Sequence, residues 1–155
     1  MKKLLLWVAF ILYLCLLIKI IFYKNYIGSI QYPDYYGVLS VYQNFERANF
    51  VPFKTIWELI SVESGFFAFE NITGNILLFL PLGVFLPILM PAFTSFRKTL
   101  AIGFFLSLSF ELIQLITVLG FFDIDDTILN TLGSVIGYFI WRIFSFYKKW
   151  SNSFP

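Results

Sequence analysis

The sequence contains no histidine and a single cysteine, Cys15. Histidine is the most common general base and zinc ligand in proteins, so its absence excludes most catalytic-triad and zinc-hydrolase functions. One cysteine cannot form a disulfide within the chain. Charged residues are also scarce, at 13% of the chain, whereas a soluble domain carries about 25%. These absences exclude an ordinary water-soluble enzyme domain.

Hydrophobic residues make up 59% of the 155 positions and aromatic residues 22%. The length predicts one domain over residues 1–155, and a net charge of +2 is too small for a nucleic-acid-binding surface. A helix needs about 20 apolar residues to cross a bilayer, and four runs meet that length. They lie at residues 4–23, 72–90, 99–122 and 127–147. The sequence therefore predicts an all-α integral membrane protein with four transmembrane helices.

The charges predict the orientation of these helices, because Lys and Arg are retained on the cytoplasmic side of a membrane. With both termini in the cytoplasm, the cytoplasmic cations are Lys2, Lys3, Arg97, Lys98, Arg142, Lys148 and Lys149. Every acidic residue except Glu111 then lies on the outer side. We therefore expect a multi-pass protein of the cell membrane with cytoplasmic N- and C-termini.

The segment between the first two spans contains a helix signal of its own. Thr55 and Glu58 have the spacing of a capping box, in which each side chain binds a free backbone amide at a helix start. Ile56 and Ile60 follow on one face, and Gly65 is a typical helix end. We predict a short helix over residues 55–65 that lies at the outer interface or re-enters the membrane.

Polar side chains inside the spans are the most informative feature, since a central charge costs ~2.5–3.5 kcal/mol on insertion scales. They recur at helical spacing, so the second, third and fourth spans each have one polar face. The residues are Asn71 and Asn75 in the second span, Ser107, Glu111 and Gln114 in the third, and Asp126 and Asn130 in the fourth. With the predicted topology they all lie in the outer half, and Glu111 is about 12 Å below the end of its helix. We predict that they form one polar recess that opens to the outer side.

Each of these residue types also has a structural interpretation. Asn71, Asp123, Asp125 and Asp126 stand where helix N-caps are useful. Gly133 and Gly137 have the spacing of a close helix-packing surface, within the chain or with a second copy. Glu111 needs a partner if it is buried and charged, and Lys19 and Gln114 are the candidates.

Four segments resemble the VanZ-like membrane protein family. They are residues 49–56, 71–83, 109–114 and 123–133, with the blocks Gly74-Asn75, Phe79-x-Pro81-x-Gly83, Glu111-x-x-Gln114 and Asp125-Asp126…Asn130-x-x-Gly133. The blocks occur together, in order, over nearly the whole chain. One departure is that many members carry an Arg shortly before the acidic stretch, where this chain has Gly120-Phe121-Phe122. A role that depends on that cation is therefore not carried over to this chain.

The resemblance implies an association with low-level resistance to the lipoglycopeptide teicoplanin. Our first hypothesis is a non-catalytic protein, without a cofactor, that binds an amphiphile in the outer recess. The amphiphile would be a membrane lipid, a lipid-linked cell-wall precursor or a lipoglycopeptide. The candidate ligand-binding residues are Asn75, Glu111, Gln114, Asp126 and Asn130.

Two alternatives remain open from the sequence. A membrane enzyme acting on a lipid-linked phosphate would hold Mg²⁺ with Asp123, Asp125 and Asp126 and use Glu111 as general base. A small transporter or assembly subunit would need to form oligomers, and Gly133 and Gly137 are the predicted contact.

Overall fold

The computed structural model describes residues 2–31, 41–62 and 65–151, with side chains described over 2–22, 41–61 and 65–148. The described chain is helical, without strands. The helices are α1 (Lys2–Gln31), α2 (Val41–Glu46), α3 (Lys54–Val62), α4 (Gly65–Leu89), α5 (Phe96–Thr117) and α6 (Ile124–Ser151), and a 3₁₀ turn at Pro91–Phe93 joins α4 to α5.

Four of these helices, α1, α4, α5 and α6, are long and apolar enough to cross a membrane. This confirms the predicted all-α fold with four membrane-spanning helices. Many of their large apolar side chains are exposed, including Leu4, Ile11, Phe105 and Phe144. In a bilayer these side chains would contact lipid, as expected for a bundle of this size.

Several helix boundaries differ from the sequence prediction. α1 runs to Gln31 instead of residue 23, and α6 covers Ile124–Ser151 instead of residues 127–147. α4 begins at Gly65 instead of residue 72, so Asn71 lies inside the helix and is not its N-cap. α5 ends at Thr117 instead of residue 122, because Val118 adopts a left-handed conformation with φ 57°. In the loop where a helix was expected over residues 55–65, the structure has α3 at Lys54–Val62, and residues 63 and 64 lie outside the described residues.

α4 and α6 run parallel and form the most extensive contact in the bundle. Glycines allow the backbones of α4 and α6 to come into contact, because glycine has no side chain to separate them. A Cβ atom on Gly83, Gly133 or Gly137 would lie 1.9, 2.1 or 2.0 Å from the backbone oxygen of Ser134, Ile76 or Leu80, respectively. The predicted close-packing surface is therefore used inside the chain. Gly133 and Gly137 are buried against α4, so a second copy would have to bind another face.

The other two long helices pack antiparallel to this pair. Gly103 of α5 lies against Ser134 of α6. Tyr13 of α1 donates a hydrogen bond of 2.8 Å to the Leu78 oxygen of α4, and the rings of Phe10 and Phe85 lie 5.5 Å apart. The end of α1, the start of α4, the end of α5 and the start of α6 consequently meet at one end of the bundle. We call this end, which also carries α2 and α3, the α3 end.

Candidate functional site

The linker between α2 and α3 is attached to the start of α6 by backbone hydrogen bonds. Asn49 N–H donates to the Phe122 oxygen over 2.8 Å, and Ile124 N–H donates to the Asn49 oxygen over 3.0 Å. The Asn49 side-chain amide also donates to Asp123 Oδ1 over 2.9 Å. Nothing in the sequence pattern predicted this pairing, since the two segments lie far apart in the chain. It places the linker over the end of the bundle.

Asp125 holds the start of α3, although it belongs to the first turn of α6. One carboxylate oxygen accepts a hydrogen bond from Phe53 N–H and the other from Ile56 N–H, the latter over 3.1 Å. Thr55 instead accepts a hydrogen bond from Asn49 over 3.0 Å. The predicted capping box of Thr55 and Glu58 is therefore wrong. A carboxylate from a distant segment caps this helix, which sequence spacing within the loop cannot reveal.

Asp123 links the cap of α6 to Glu111. Its Oδ1 accepts a hydrogen bond of 2.8 Å from Asp125 N–H, as expected for a helix N-cap. Its own backbone N–H donates to Glu111 Oε2 over 2.8 Å. Glu111 comes within reach because α5 ends at Thr117 and the chain folds back toward the bundle. Sequence reasoning offered only side chains as partners for Glu111 and missed this backbone donor.

Asn44 is a further structural residue that the sequence analysis missed. The side chain is 1% exposed, and its amide nitrogen donates to the oxygens of Leu115 and Gly120 over 2.9 Å each. These acceptors lie at and beyond the last turn of α5, where carbonyl groups lack partners within the helix. Asn44 therefore stabilises the early end of α5. An asparagine in a poorly patterned loop gives no signal of such a contact.

A cavity of about 420 Å³ lies between α1, α4, α5 and α6 near the α3 end. We call it the bundle cavity. All five predicted ligand-binding residues line it, namely Asn75, Glu111, Gln114, Asp126 and Asn130. The apolar part of the lining includes Ile20, Ile21, Leu77, Leu78 and Phe110. Its volume falls in the range of small-molecule sites, about 300–1,000 Å³. The structure thus brings the predicted polar residues of three helices together.

Hydrogen bonds order the polar lining of the bundle cavity. The Asn75 amide donates to Asp126 Oδ1 over 2.6 Å and joins α4 to α6. The Asn130 amide donates to Ser107 Oγ over 2.9 Å and joins α6 to α5. The Gln114 amide donates to the Ile21 oxygen of α1 over 3.4 Å. Oδ1 of Asn130 is buried and has no hydrogen-bond partner, and the residue as a whole is only 5% exposed.

A second pocket, the loop pocket, adjoins the bundle cavity and shares Gln114 and Asp126 with it. Its volume is about 270 Å³, and Arg47, Lys54 and Glu58 are among its lining residues. The Arg47 guanidinium carbon lies 5.8 Å from the ring centroid of Phe121, a cation–π distance. Phe121 belongs to the segment in which many members of the VanZ-like family, which this sequence resembles, carry an Arg. In this chain the α2–α3 linker supplies a cation to the same region.

The three aspartates proposed as magnesium ligands have separate structural partners. Asp123 binds Asn49 and the first turn of α6, Asp125 binds the start of α3, and Asp126 binds Asn75. Within the described ranges, no three Asp, Glu or Cys side chains form a group that could hold a metal ion. The run of carboxylates is explained by the attachment of α3 and α4 to α6.

Two comparisons with known proteins point to the same family. A sequence model of the VanZ/LLP1 family matches residues 10–145. The chain is also 32% identical over 103 residues to "Protein VanZ" of Enterococcus faecium, which is 66% of this chain and 57% of that protein. It thus spans somewhat more than half the length of this curated relative. No solved structure matches the chain. Because the family model matches residues 10–145 of this 155-residue chain and four of its helices are long and apolar enough to cross a membrane, the chain is a multi-pass membrane protein that belongs to the VanZ/LLP1 family.

Proposed function

We propose that the protein binds the polar head of an amphiphile in the bundle cavity, from the outer leaflet and without catalysis, and thereby contributes to resistance to teicoplanin-type lipoglycopeptides. The observation that carries the proposal is the mixed lining of the cavity. Carboxylates and amides from α4, α5 and α6 lie beside aliphatic side chains from α1 and α4. A site of this kind suits a ligand with a polar and an apolar part.

The apolar residues at the rim of the cavity favour an amphiphilic ligand over a wholly polar one. Leu77, one of the lining residues, is 62% exposed on the surface of α4. Ile20 and Ile21 contribute further apolar surface from α1. A head group in the cavity could therefore leave its hydrocarbon chain against the lipid-facing surface. Such binding would not require the chain to enter the bundle.

The charge distribution supports an outward-facing cavity. Cations cluster at the end of the bundle opposite α3, where Lys2, Arg97 and Arg142 lie. By the positive-inside rule that end is cytoplasmic and the α3 end faces outward. Lipid-linked cell-wall precursors and lipoglycopeptides meet at the outer face of the membrane. The proposed site and the resistance implied by the family resemblance therefore agree in location.

Gly74→Trp tests this proposal by filling the cavity. Gly74 lines the bundle cavity, and a Cβ atom built there meets no atom within 4 Å. We expect the indole to occupy the space without opening the helix contacts. The variant should lose bound amphiphile, measured by native mass spectrometry, and should no longer raise the minimum inhibitory concentration of teicoplanin in a sensitive host. Its thermal unfolding midpoint in detergent should match that of the wild type.

Gly65→Trp is the matched control. Gly65 is also free of neighbours within 4 Å, but it is exposed at the start of α4 and does not line the cavity. This variant should bind amphiphile and protect the host as the wild type does. If a folded Gly74→Trp protein retained both properties, the bundle cavity would not be the binding site.

A further inference from the structure

We propose that the end of the bundle opposite α3 binds one anionic phospholipid, with its phosphate on Arg142 and an acyl chain in a groove on the surface of α6. Among the residues with described side chains, Phe139, Arg142, Ile143 and Phe146 line this α6 groove, which has a volume of about 570 Å³. The bundle cavity is lined by the first turns of α6 instead. The α6 groove is therefore a separate site, and its test does not depend on the proposed function.

A hydrogen bond of Tyr138 shows how far along the bundle the α6 groove lies. The Tyr138 hydroxyl donates over 3.0 Å to the Thr94 oxygen, and Thr94 follows the 3₁₀ turn that joins α4 to α5. This loop marks the end of the bundle. Arg142 lies one helical turn beyond Tyr138, which is about 6 Å along the axis of α6. The guanidinium is therefore expected at the height of the lipid phosphates, on the side that the positive-inside rule assigns to the cytoplasm.

Tyr138 also orients the Arg142 guanidinium. Arg142 Nη1 donates to the Tyr138 hydroxyl oxygen over 3.2 Å, and Tyr138 is buried against the ring of Phe96 at a centroid distance of 6.0 Å. A guanidinium has five N–H donors. Among the residues with described side chains, Arg142 makes no other hydrogen bond. Its remaining donors include an adjacent pair, which is the arrangement that binds two oxygens of one phosphate.

The segments that form this end of the bundle contain no acidic residue. The sequence has neither Asp nor Glu in residues 1–33, 71–110 and 127–155, which include the start of α1, the end of α4, the start of α5 and the end of α6. The helix ends carry further cations, namely Lys2, Arg97, Lys98 and Lys148. An anion that neutralises Arg142 is therefore expected from outside these segments. Charge complementarity favours an anionic head group.

The apolar wall beside the guanidinium favours a lipid over a soluble anion. Phe139, Ile143 and Phe146 are 47%, 68% and 73% exposed. They lie three residues before, one after and four after Arg142, on one side of α6. The ring of Phe96 supports that of Phe139 at a centroid distance of 5.7 Å. An apolar groove that begins at a guanidinium matches a molecule whose phosphate is joined to a hydrocarbon chain, and a phospholipid has this structure.

Two synthetic lipids with identical dioleoyl chains test the charge of the ligand. Phosphatidylglycerol has a net negative charge, whereas the choline group of phosphatidylcholine cancels the charge of its phosphate. We expect the full chain, purified in detergent, to bind one molecule of phosphatidylglycerol at least about tenfold more tightly than phosphatidylcholine in native mass spectrometry. Glycerol phosphate, which has no acyl chain, should bind far more weakly than phosphatidylglycerol.

Arg142→Gln is the principal variant, and because Arg142 is exposed we expect the protein to fold. Its affinity for phosphatidylglycerol should fall to within about twofold of that for phosphatidylcholine. Arg142→Lys keeps the charge without the paired donors, so its preference should lie between those of Arg142→Gln and the wild type. Phe146→Ala removes part of the apolar wall and should weaken the binding of both lipids by about tenfold.

Lys98→Gln is the matched control. It removes one positive charge from the same end of the bundle, but Lys98 donates to the Ala92 oxygen and does not line the α6 groove. This variant should keep the wild-type preference for phosphatidylglycerol. Gly74→Trp, which fills the bundle cavity at the other end, should keep it as well.

Five results would overturn the α6 groove as a phospholipid site. The first is equal binding of the two lipids by the wild type. The second is an equal loss in Lys98→Gln and Arg142→Gln, which would mean that anions are attracted by the overall charge of this end. The third is loss of the preference in Gly74→Trp, which would assign the lipid to the bundle cavity. The fourth is binding of glycerol phosphate as tight as that of the lipid, and the fifth is a dimer that Phe146→Ala dissociates, which would mean that a second copy covers the groove.

Discussion

Replacing Gly137 by alanine is expected to disrupt the packing of α4 against α6. The added Cβ would lie 2.0 Å from the Leu80 oxygen and 3.2 Å from the Gly83 Cα. Both neighbours are backbone atoms, so no side-chain rotation relieves the clash and the two helices must separate. We expect a loss of about 3 kcal/mol or more in unfolding free energy. Thermal unfolding in detergent, followed by circular dichroism, would measure it as a lower midpoint.

Gly74→Ala makes the same chemical change on α4 where no atom lies within 4 Å of the new Cβ. It should leave the protein as stable as the wild type or stabilise it by up to about 1 kcal/mol, because alanine restricts the unfolded chain more than glycine. A wild-type unfolding midpoint for Gly137→Ala would contradict the backbone contact described for α4 and α6.

Replacing Asp125 by alanine is expected to release α3 from the bundle. Asp125 is fully buried at 0% exposure, and its two oxygens accept the backbone N–H groups of Phe53 and Ile56. Hydrogen bonds to a charged group are worth about 1.5–3 kcal/mol each, so the combined loss should be about 3–6 kcal/mol. Hydrogen–deuterium exchange should show faster exchange of the α3 amides, before any change in the centre of α4.

Glu58→Ala separates the two explanations of how α3 begins. Glu58 is exposed, and the sequence pattern alone assigns it to a capping box. The structure predicts no change in α3 exchange for this variant, since Asp125 supplies the cap. Rapid exchange in Glu58→Ala together with normal exchange in Asp125→Ala would mean that the capping box is correct.

The four spanning helices and the lining of the cavity could be predicted from the sequence for a common physical reason. Helical periodicity determines which residues share a face, and alternating spans determine which faces meet at one end. Glu111 and Gln114 on α5 and Asp126 and Asn130 on α6 were therefore expected to lie together, and they line one cavity. The bilayer makes this inference stronger, because polar groups within a span need polar surroundings.

The parts that escaped prediction depend on contacts between distant segments. Val118 ends α5 in a left-handed conformation although the sequence stays apolar beyond it, so hydropathy extended the helix too far. Asn44 stabilises that end from α2. Asp125 looked like a cap for its own helix and caps another one. Local spacing rules assign a polar side chain to its nearest backbone. Asp123 follows them, but Asn44 and Asp125 bind backbone groups of distant segments.

The start of α6 couples different parts of the protein, because three aspartates within four residues have different partners. Asp125 holds α3, Asp126 lines the bundle cavity, and the backbone of Asp123 binds Glu111 in the same cavity. A ligand that displaced this turn would also displace the attachment of α3. Thermodynamic linkage then works in both directions. Consider a second molecule that binds α3 from outside. It would change the affinity of the cavity for its ligand by some factor, and the ligand would change the affinity of α3 for that molecule by the same factor.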